Sequence, residues 1–137
     1  MTEEQNGPFG LTEGDWNEFQ FFEHQLGVID TKAENVLWVA SVVIVISTLT
    51  TLFGSGVSRP TKILATIATV VILASVLLCT LTIRIKWASD FLEEDLGYDR
   101  EGLVNLRNFK TKALHASIYV LFAALGLYVV ALVAGLF

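Results

Sequence analysis

The sequence predicts an all-α membrane protein, with three transmembrane helices and cytoplasmic helical extensions that form a small bundle. Its composition is 53% apolar and 17% charged with a mean hydropathy of +0.60, which is too apolar for an ordinary soluble domain. Three stretches contain no Asp, Glu, Lys or Arg, at 35–58, 63–83 and 113–137. Their apolar parts would form helices roughly 27, 31 and 37 Å long at ~1.5 Å per residue, against a hydrocarbon thickness of ~30 Å. Each stretch can therefore cross a bilayer.

A cytoplasmic amphipathic helix is predicted at 12–35, after a flexible N-terminus at 1–11. Thr12 and Asp15 have the spacing of a capping pair. We expect the apolar face of this helix to pack against another cytoplasmic helix, with contact to another subunit as the next alternative. Lying flat on lipid is less favoured because the polar face is acidic. The apolar residues recur every three or four positions, at Trp16, Phe19, Phe22 or Glu23, Leu26, Ile29 and Ala33.

The first transmembrane helix is predicted at 36–53 and the second at 63–83. The link at 54–62 contains two glycines and a proline, which are typical of a tight turn. The two helices should therefore form an antiparallel hairpin, joined by a short extracytoplasmic turn.

The connection at 84–112 is long and charged, and we predict cytoplasmic helical extensions and a turn within it. The helical period of the second span continues to Leu92. The acidic residues that follow and Gly97 indicate a helix end and a turn, and Asp99 is a candidate N-cap. The next helix leads into the third transmembrane helix at 113–137.

The distribution of basic residues predicts the orientation. With three spans, the N-terminal segment and 84–112 share one side of the membrane. That side carries most of the Lys and Arg, and the other side carries only Arg59 and Lys62. All the carboxylates lie on the first side, but carboxylates contribute little to topology. The positive-inside rule therefore predicts a multi-pass protein of the inner or plasma membrane with a cytoplasmic N-terminus. The basic residues on the first side are Lys32, Arg84, Lys86, Arg100, Arg107, Lys110 and Lys112.

Several function classes are disfavoured by the residue inventory. The one cysteine, Cys79, cannot form an internal disulfide, and no Cys/His spacing indicates a metal site. A net charge of −5 disfavours nucleic-acid binding, because phosphate contacts need clustered cations. No phosphate-binding loop, catalytic triad order or metalloprotease motif is present, so we expect a protein that is not an enzyme and holds no metal or cofactor.

Charged and polar residues near the predicted membrane boundary have two interpretations each. Lys32, Lys110 and Lys112 are expected to reach the interface as anchors, with ligand contact as the alternative. Asp30 is expected to be a helix-surface or pairing residue, with partner binding as the alternative. His115 lies one turn inside the third span, where a hydrogen bond within the bundle is favoured over proton sensing.

The string LGVIDTKA at 26–33, which leads into the first span, resembles a known signature. It is similar to the Asp-x-Lys-Ala motif of the Pycsar-type transmembrane effector family of antiphage defence. A second Lys-Ala at 112–113 enters the last span in a similar layout. The resemblance covers 18–137. The residues that match the family signature are Asp30, Lys32, Ala33 and Lys112.

The resemblance implies a function and a ligand class. Members of that family are encoded with nucleotide cyclases, respond to a cyclic nucleotide made during infection, and impair the inner membrane. Here the polar segments of about 35 and 29 residues are too short for a separate cyclic-nucleotide-binding domain. A cyclic nucleotide would instead bind between helices, and the second messenger would come from a partner cyclase. The candidate ligand-binding residues are Asp30, Lys32, Arg100, Arg107, Lys110 and Lys112.

We therefore expect an oligomeric membrane effector that senses a signal through its cytoplasmic helices and permeabilises the membrane, for example by opening a pore. The alternatives are a scaffold or accessory subunit that docks a soluble partner, and a small ion channel. A channel would use a partial polar strip on the second helix, made of Thr66, Thr69, Ser75, Thr80 and Thr82. Self-association is expected because polar groups in lipid need partners, among them His115, Tyr119 and Tyr128.

Overall fold

Three long helices and one short strand pair make up the computed structural model, which describes residues 10–53, 56, 58–84, 92–93 and 97–136. The elements in chain order are α1 (Glu13–Phe53), α2 (Arg59–Arg84), β1 (Leu92–Glu93), β2 (Gly97–Tyr98) and α3 (Arg100–Leu136). Each helix is long and apolar enough to cross a membrane, and the three pack together as a bundle. The predicted all-α, three-span fold is confirmed. The predicted flexible N-terminus lies almost wholly outside the described residues.

Two of the helices are far longer than a bilayer is thick. α1 has 41 residues and α3 has 37, which correspond to about 62 and 56 Å against a hydrocarbon core of ~30 Å. No proline interrupts either helix, because the two prolines of the chain are Pro8 and Pro60. We call residues 13–32 of α1 and 100–112 of α3 the polar end of the bundle. The polar end and the spans are thus continuous along both helices.

Local capping sets where the helices begin. The Thr12 hydroxyl accepts a hydrogen bond from the backbone N–H of Asp15 at 3.2 Å and donates one to the Asp15 carboxylate at 2.7 Å, which confirms the predicted capping pair. An Asp99 carboxylate oxygen accepts from the N–H of Gly102 at 2.9 Å, which confirms the predicted N-cap of α3. α2 begins at Arg59, four residues before the predicted start of the span, because Pro60 is tolerated in a first helical turn.

The connection between α2 and α3 differs from the prediction at Leu92. Leu92 was expected to continue the second helix, but it pairs with Tyr98 in the two-stranded antiparallel ladder of β1 and β2. The predicted helical extension at 85–91 lies outside the described residues. The ladder brings the chain back towards the start of α3, where Asp99 caps the helix.

The buried positions of α2 and α3 are spaced three or four residues apart, which is typical of the seam of a left-handed bundle. On α1 they recur every seven residues, at Phe19, Leu26, Ala33, Ala40 and Ser47, and Phe22 is buried as well. On α2 they are Thr61, Ala65, Ala68, Ile72, Ser75, Cys79 and Thr82. On α3 they are Leu103, Leu106, Lys110, Leu114, Ser117, Leu121, Ala124, Tyr128 and Ala131.

A hydrophobic cluster holds the polar end together. Phe19, Phe22 and Leu26 of α1 pack against Leu103 and Leu106 of α3. This confirms that the apolar face of the helix predicted at 12–35 packs on another helix, and it places Phe22 rather than Glu23 on the buried side. Burial of each of these side chains from water stabilises the contact by about 1.5–3 kcal/mol.

Inside the spans the contacts use smaller residues. One cluster joins Ala40, Ile72, Leu121 and Ala124, and its two fully buried alanines allow close helix approach. In lipid the hydrophobic effect does not drive helices together, so close packing and hydrogen bonds must hold this part of the bundle.

Candidate functional site

A buried ion pair lies where the polar end meets the spans. Lys110 Nζ donates to both carboxylate oxygens of Asp30, at 2.9 and 3.0 Å. The lysine side chain is 2% exposed and the aspartate side chain is 21% exposed. A buried ammonium without a counter-ion is strongly destabilising, so this pair joins α1 to α3 at the junction between the polar end and the apolar parts of the helices.

Two further contacts at the polar end show how α1 and α3 are aligned. Arg100 Nε pairs with Glu18 at 2.7 Å, and Arg107 Nη1 donates to Gln25 Oε1 at 3.3 Å. Both pairs differ by 82 in residue number, so the helices run parallel. Arg100 is largely exposed, and an exposed pair of this kind contributes about 0–1 kcal/mol.

An open groove of about 450 Å³ lies between α1 and α3 beside Arg107. The guanidinium stacks 5.6 Å from the centre of the Phe22 ring and donates to Asn108 at 3.2 Å. A second groove of about 480 Å³, on α1, is lined by Lys32 and shares His24 and Val28 with the first. Both volumes fall within the range of ~300–1,000 Å³ that is common for small-molecule sites.

The six candidate ligand residues do not converge on one point. Lys110 was expected to reach the interface or a phosphate, and this is corrected: its amine is buried and already bound to Asp30. Arg100 lies at the far end of α3 with Glu18. Lys32 and Lys112 are exposed and have no ion pair or hydrogen bond to any residue in the described ranges.

The structure gives physical roles to the signature residues. Asp30 forms the ion pair, and Ala33 is fully buried in a cluster with Cys79 and Leu114, where a larger side chain would separate the helices. Lys32, between them, points to the exposed surface. The Asp-x-Lys-Ala pattern thus occupies one helical turn, in which Asp30 forms an ion pair, Lys32 is exposed and Ala33 packs against the other helices.

Hydrogen bonds inside the spans connect every pair of helices. Ser47 of α1 bonds to Thr69 of α2 at 2.8 Å. Ser75 of α2 donates to the Ser117 carbonyl of α3 at 2.7 Å, and the Ser117 hydroxyl also lies 3.0 Å from the Cys79 sulfur. These groups are satisfied within one chain, so they do not require a second copy.

Tyr128 also finds its partner inside the chain, in the hydroxyl of Thr50 at 3.0 Å. The expectation that Tyr128 needs another subunit is therefore wrong. His115 was expected to face the bundle, but it is exposed and bonds to the carbonyl of Thr111 on its own helix at 2.8 Å. Tyr119 is 71% exposed and has no hydrogen bond to a described residue.

The predicted polar strip of α2 does not line a conduit. Thr66 and Thr80 face outward, whereas Ser75 and Thr82 are buried in the bundle. Between the buried polar groups lies the apolar layer that contains Ile72. Within the described residues, a single closed bundle offers no continuous polar path.

Comparisons of the chain with family models, with curated proteins and with solved structures find no match.

The sequence contained a signal for the buried lysine that the position-by-position interpretation missed. Lys110 follows Leu106 by four residues and precedes Leu114 by four, so helical spacing places it on the apolar face. A charge on that face is costly without a partner, and Asp30 on α1, just before the first span, was the matching carboxylate.

Proposed function

We propose that the chain is an oligomeric membrane effector, in which a signal received at the polar end changes the packing of the spans and permeabilises the membrane. The observation that carries this proposal is the continuity of α1 and α3 from the polar end into the spans, fixed at the boundary by Asp30 and Lys110. A ligand that shifts the two helices at the polar end must therefore move the same two helices in the bilayer.

The proposed receptor surface is the pair of grooves beside Arg107 and Lys32. The two grooves share His24 and Val28, so Arg107 and Lys32 lie on either side of these two residues of α1. Guanidinium and ammonium groups bind phosphate oxygens, and Arg107 is held in place by Phe22 and Gln25. This favours a phosphate-bearing ligand, and the resemblance to the Pycsar-type effectors suggests a cyclic nucleotide and a role in antiphage defence.

Orientation follows from the charge distribution. The polar end and the 84–112 connection hold seven of the nine Lys and Arg, so we place both in the cytoplasm of a cell with the spans in its inner or plasma membrane. A nucleotide made in the cytoplasm would then reach Arg107 directly.

The ligand must bind the permeabilising arrangement better than the closed one, because a ligand with equal affinity for both does not shift the equilibrium between them. The closed bundle has an apolar layer around Ile72, so permeation requires that the helices separate or that several copies enclose the path.

A scaffold that docks a soluble partner is the second candidate. It is favoured by three apolar side chains that the polar end leaves exposed, Phe21 at 56%, Val28 at 39% and Phe109 at 51%. Such residues outside the membrane are typical of a protein interface.

Leakage of a trapped dye from liposomes tests the effector proposal. The purified protein is reconstituted, and a panel of cyclic mono- and oligonucleotides is added for the wild type, Arg107→Gln and the control Arg59→Gln, which removes a cation at the opposite end of the bundle. We expect one nucleotide to cause leakage for the wild type and the control but not for Arg107→Gln. Absence of leakage with every nucleotide, with the folded oligomer verified in the liposomes, would contradict the effector and favour the scaffold. Leakage that is independent of nucleotide would favour a constitutive channel.

A further inference from the structure

The outer face of α3 carries polar side chains where lipid would be expected. Lys112, His115 and Tyr119 follow one another at intervals of three and four residues, so they lie on one face, and all three are exposed. His115 and Tyr119 fall within the predicted third span. Polar groups that face hydrocarbon are costly, and neither Lys112 nor Tyr119 has a bond to any residue in the described part of the chain.

A complementary surface runs along α1 at its outer side. An open groove of about 420 Å³ has Glu34, Leu37, Trp38 and Ser41 among its lining residues. Trp38 is 74% exposed, and Glu34 is an exposed carboxylate with no ion pair or hydrogen bond to the described residues. The α1 groove therefore offers an unpaired negative charge, an aromatic ring and a hydroxyl.

The depths of these two surfaces match. Contacts between α1 and α3 join residues whose numbers differ by 82 at Gln25, 80 at Asp30 and 78 at Thr50. By this register His115 lies within about one residue of the level of Glu34, and Tyr119 lies within about two residues of the level of Trp38. A second copy in the same bilayer has the same orientation and the same depths, so its α3 would run parallel to α1 with these residues opposite one another.

We propose that the outer face of α3 in one copy docks into the α1 groove of a second copy. Glu34 then faces Lys112 and His115, and Tyr119 packs on Trp38 with its hydroxyl near Ser41. The Ser41 hydroxyl already donates to the Leu37 carbonyl at 2.8 Å, so its oxygen is able to accept from the tyrosine.

Charge complementarity at the polar end favours the same partner. Residues 13–34 of α1 contain six carboxylates and one lysine, whereas residues 100–112 of α3 contain four cations and one carboxylate. Two ion pairs among the described residues use two charges on each helix. The charges that are left sum to a net negative charge on α1 and a net positive charge on α3, which attracts α3 of one copy to α1 of another.

Disulfide crosslinking in liposomes tests the interface, which rests on the oligomeric part of the proposed function. In a Cys79→Ser background, cysteines are introduced at Trp38 and Tyr119 together, and at each position alone. The matched control pair is Trp38→Cys with Leu77→Cys, because Leu77 is 65% exposed on α2 at the level of Ser117. All three positions face outward, so the substitutions leave the core intact.

We expect mild oxidation to give covalent dimers or a ladder from the Trp38 and Tyr119 pair, at least tenfold above the single cysteines and the control pair. Equal crosslinking in the control pair, or in a single-cysteine variant, would overturn this interface. Absence of crosslinks would overturn it as well and would leave the two aromatics as interfacial anchors. Dye leakage is measured on the same liposomes, so a failed interface with nucleotide-dependent leakage is distinguishable from a failed effector.

Discussion

The ion pair between Asp30 and Lys110 gives the most quantitative prediction. Replacement of Asp30 by Leu leaves the Lys110 ammonium in a site where its side chain is 2% exposed. Removal of one partner from a buried pair costs about 3–5 kcal/mol, and the low exposure of the lysine favours the upper part of that range. Replacement of Lys110 by Met keeps the volume of the stem and leaves a carboxylate that is 21% exposed, so partial hydration lowers the cost to about 2 kcal/mol.

The double variant Asp30→Leu with Lys110→Met removes both charges and should recover most of the loss, to within about 1 kcal/mol of the wild type. Independent effects would add, so this recovery measures a coupling of several kcal/mol between the two residues. The exposed pair of Arg100 and Glu18 is the control, since removal of either partner should cost about 0–1 kcal/mol.

The assay is unfolding by sodium dodecyl sulfate from mild detergent micelles, followed by tryptophan fluorescence. The expected order of stability is wild type, double variant, Lys110→Met and then Asp30→Leu. The reasoning from burial would be refuted if Asp30→Leu were no less stable than Lys110→Met, or if the double variant were as unstable as Asp30→Leu.

Three more results are expected. Leu106→Ala should lower the free energy of unfolding by about 2–4 kcal/mol in the same assay, because Leu106 is buried in the polar end. The outward-facing control Leu77→Ala should lower it by less than ~0.5 kcal/mol. Equal losses for the two variants would contradict the assigned packing. Tyr128→Phe should cost about 0.6 kcal/mol, typical of a hydrogen bond between helices in a membrane, and a loss above ~2 kcal/mol would show that Tyr128 does more than bond to one hydroxyl. Glu34→Lys and Lys112→Glu should each weaken the oligomer in crosslinking or photobleaching assays, and the combined charge swap should restore it; failure of the swap to restore association would indicate that the two charges do not meet.

The spans and helix starts could be predicted because they depend on local chemistry. Charge-free apolar runs identify helices that can cross a membrane, and Thr12 and Asp99 cap helices through bonds to residues three positions away. Ala33 and Phe19 were recognised as members of an apolar face for the same reason.

The contacts between helices could not be predicted, because they depend on the register between distant segments. The sequence shows that Lys110 and Asp30 are both near a predicted membrane boundary. It does not show that these two residues, which are 80 positions apart in the chain, form a contact of 2.9 Å. Tyr128 and Tyr119 both lie in the charge-free apolar stretch at 113–137, yet Tyr128 bonds to Thr50 and Tyr119 faces outward. The rotation of α3 about its axis decides which tyrosine faces α1, and the sequence alone does not give that rotation.

The orientation of the spans is the central claim, and cysteine labelling in intact cells tests it most directly. Single cysteines are placed at Gln20 in the polar end and at Gly56 in the link between α1 and α2, in the Cys79→Ser background. Both positions are exposed, and a side chain at Gly56 would meet nothing within 4 Å. The account predicts that a membrane-impermeant thiol reagent labels Gly56→Cys in intact cells and labels Gln20→Cys only after lysis. The reverse pattern, or labelling of both positions in intact cells that exclude the reagent, would contradict it.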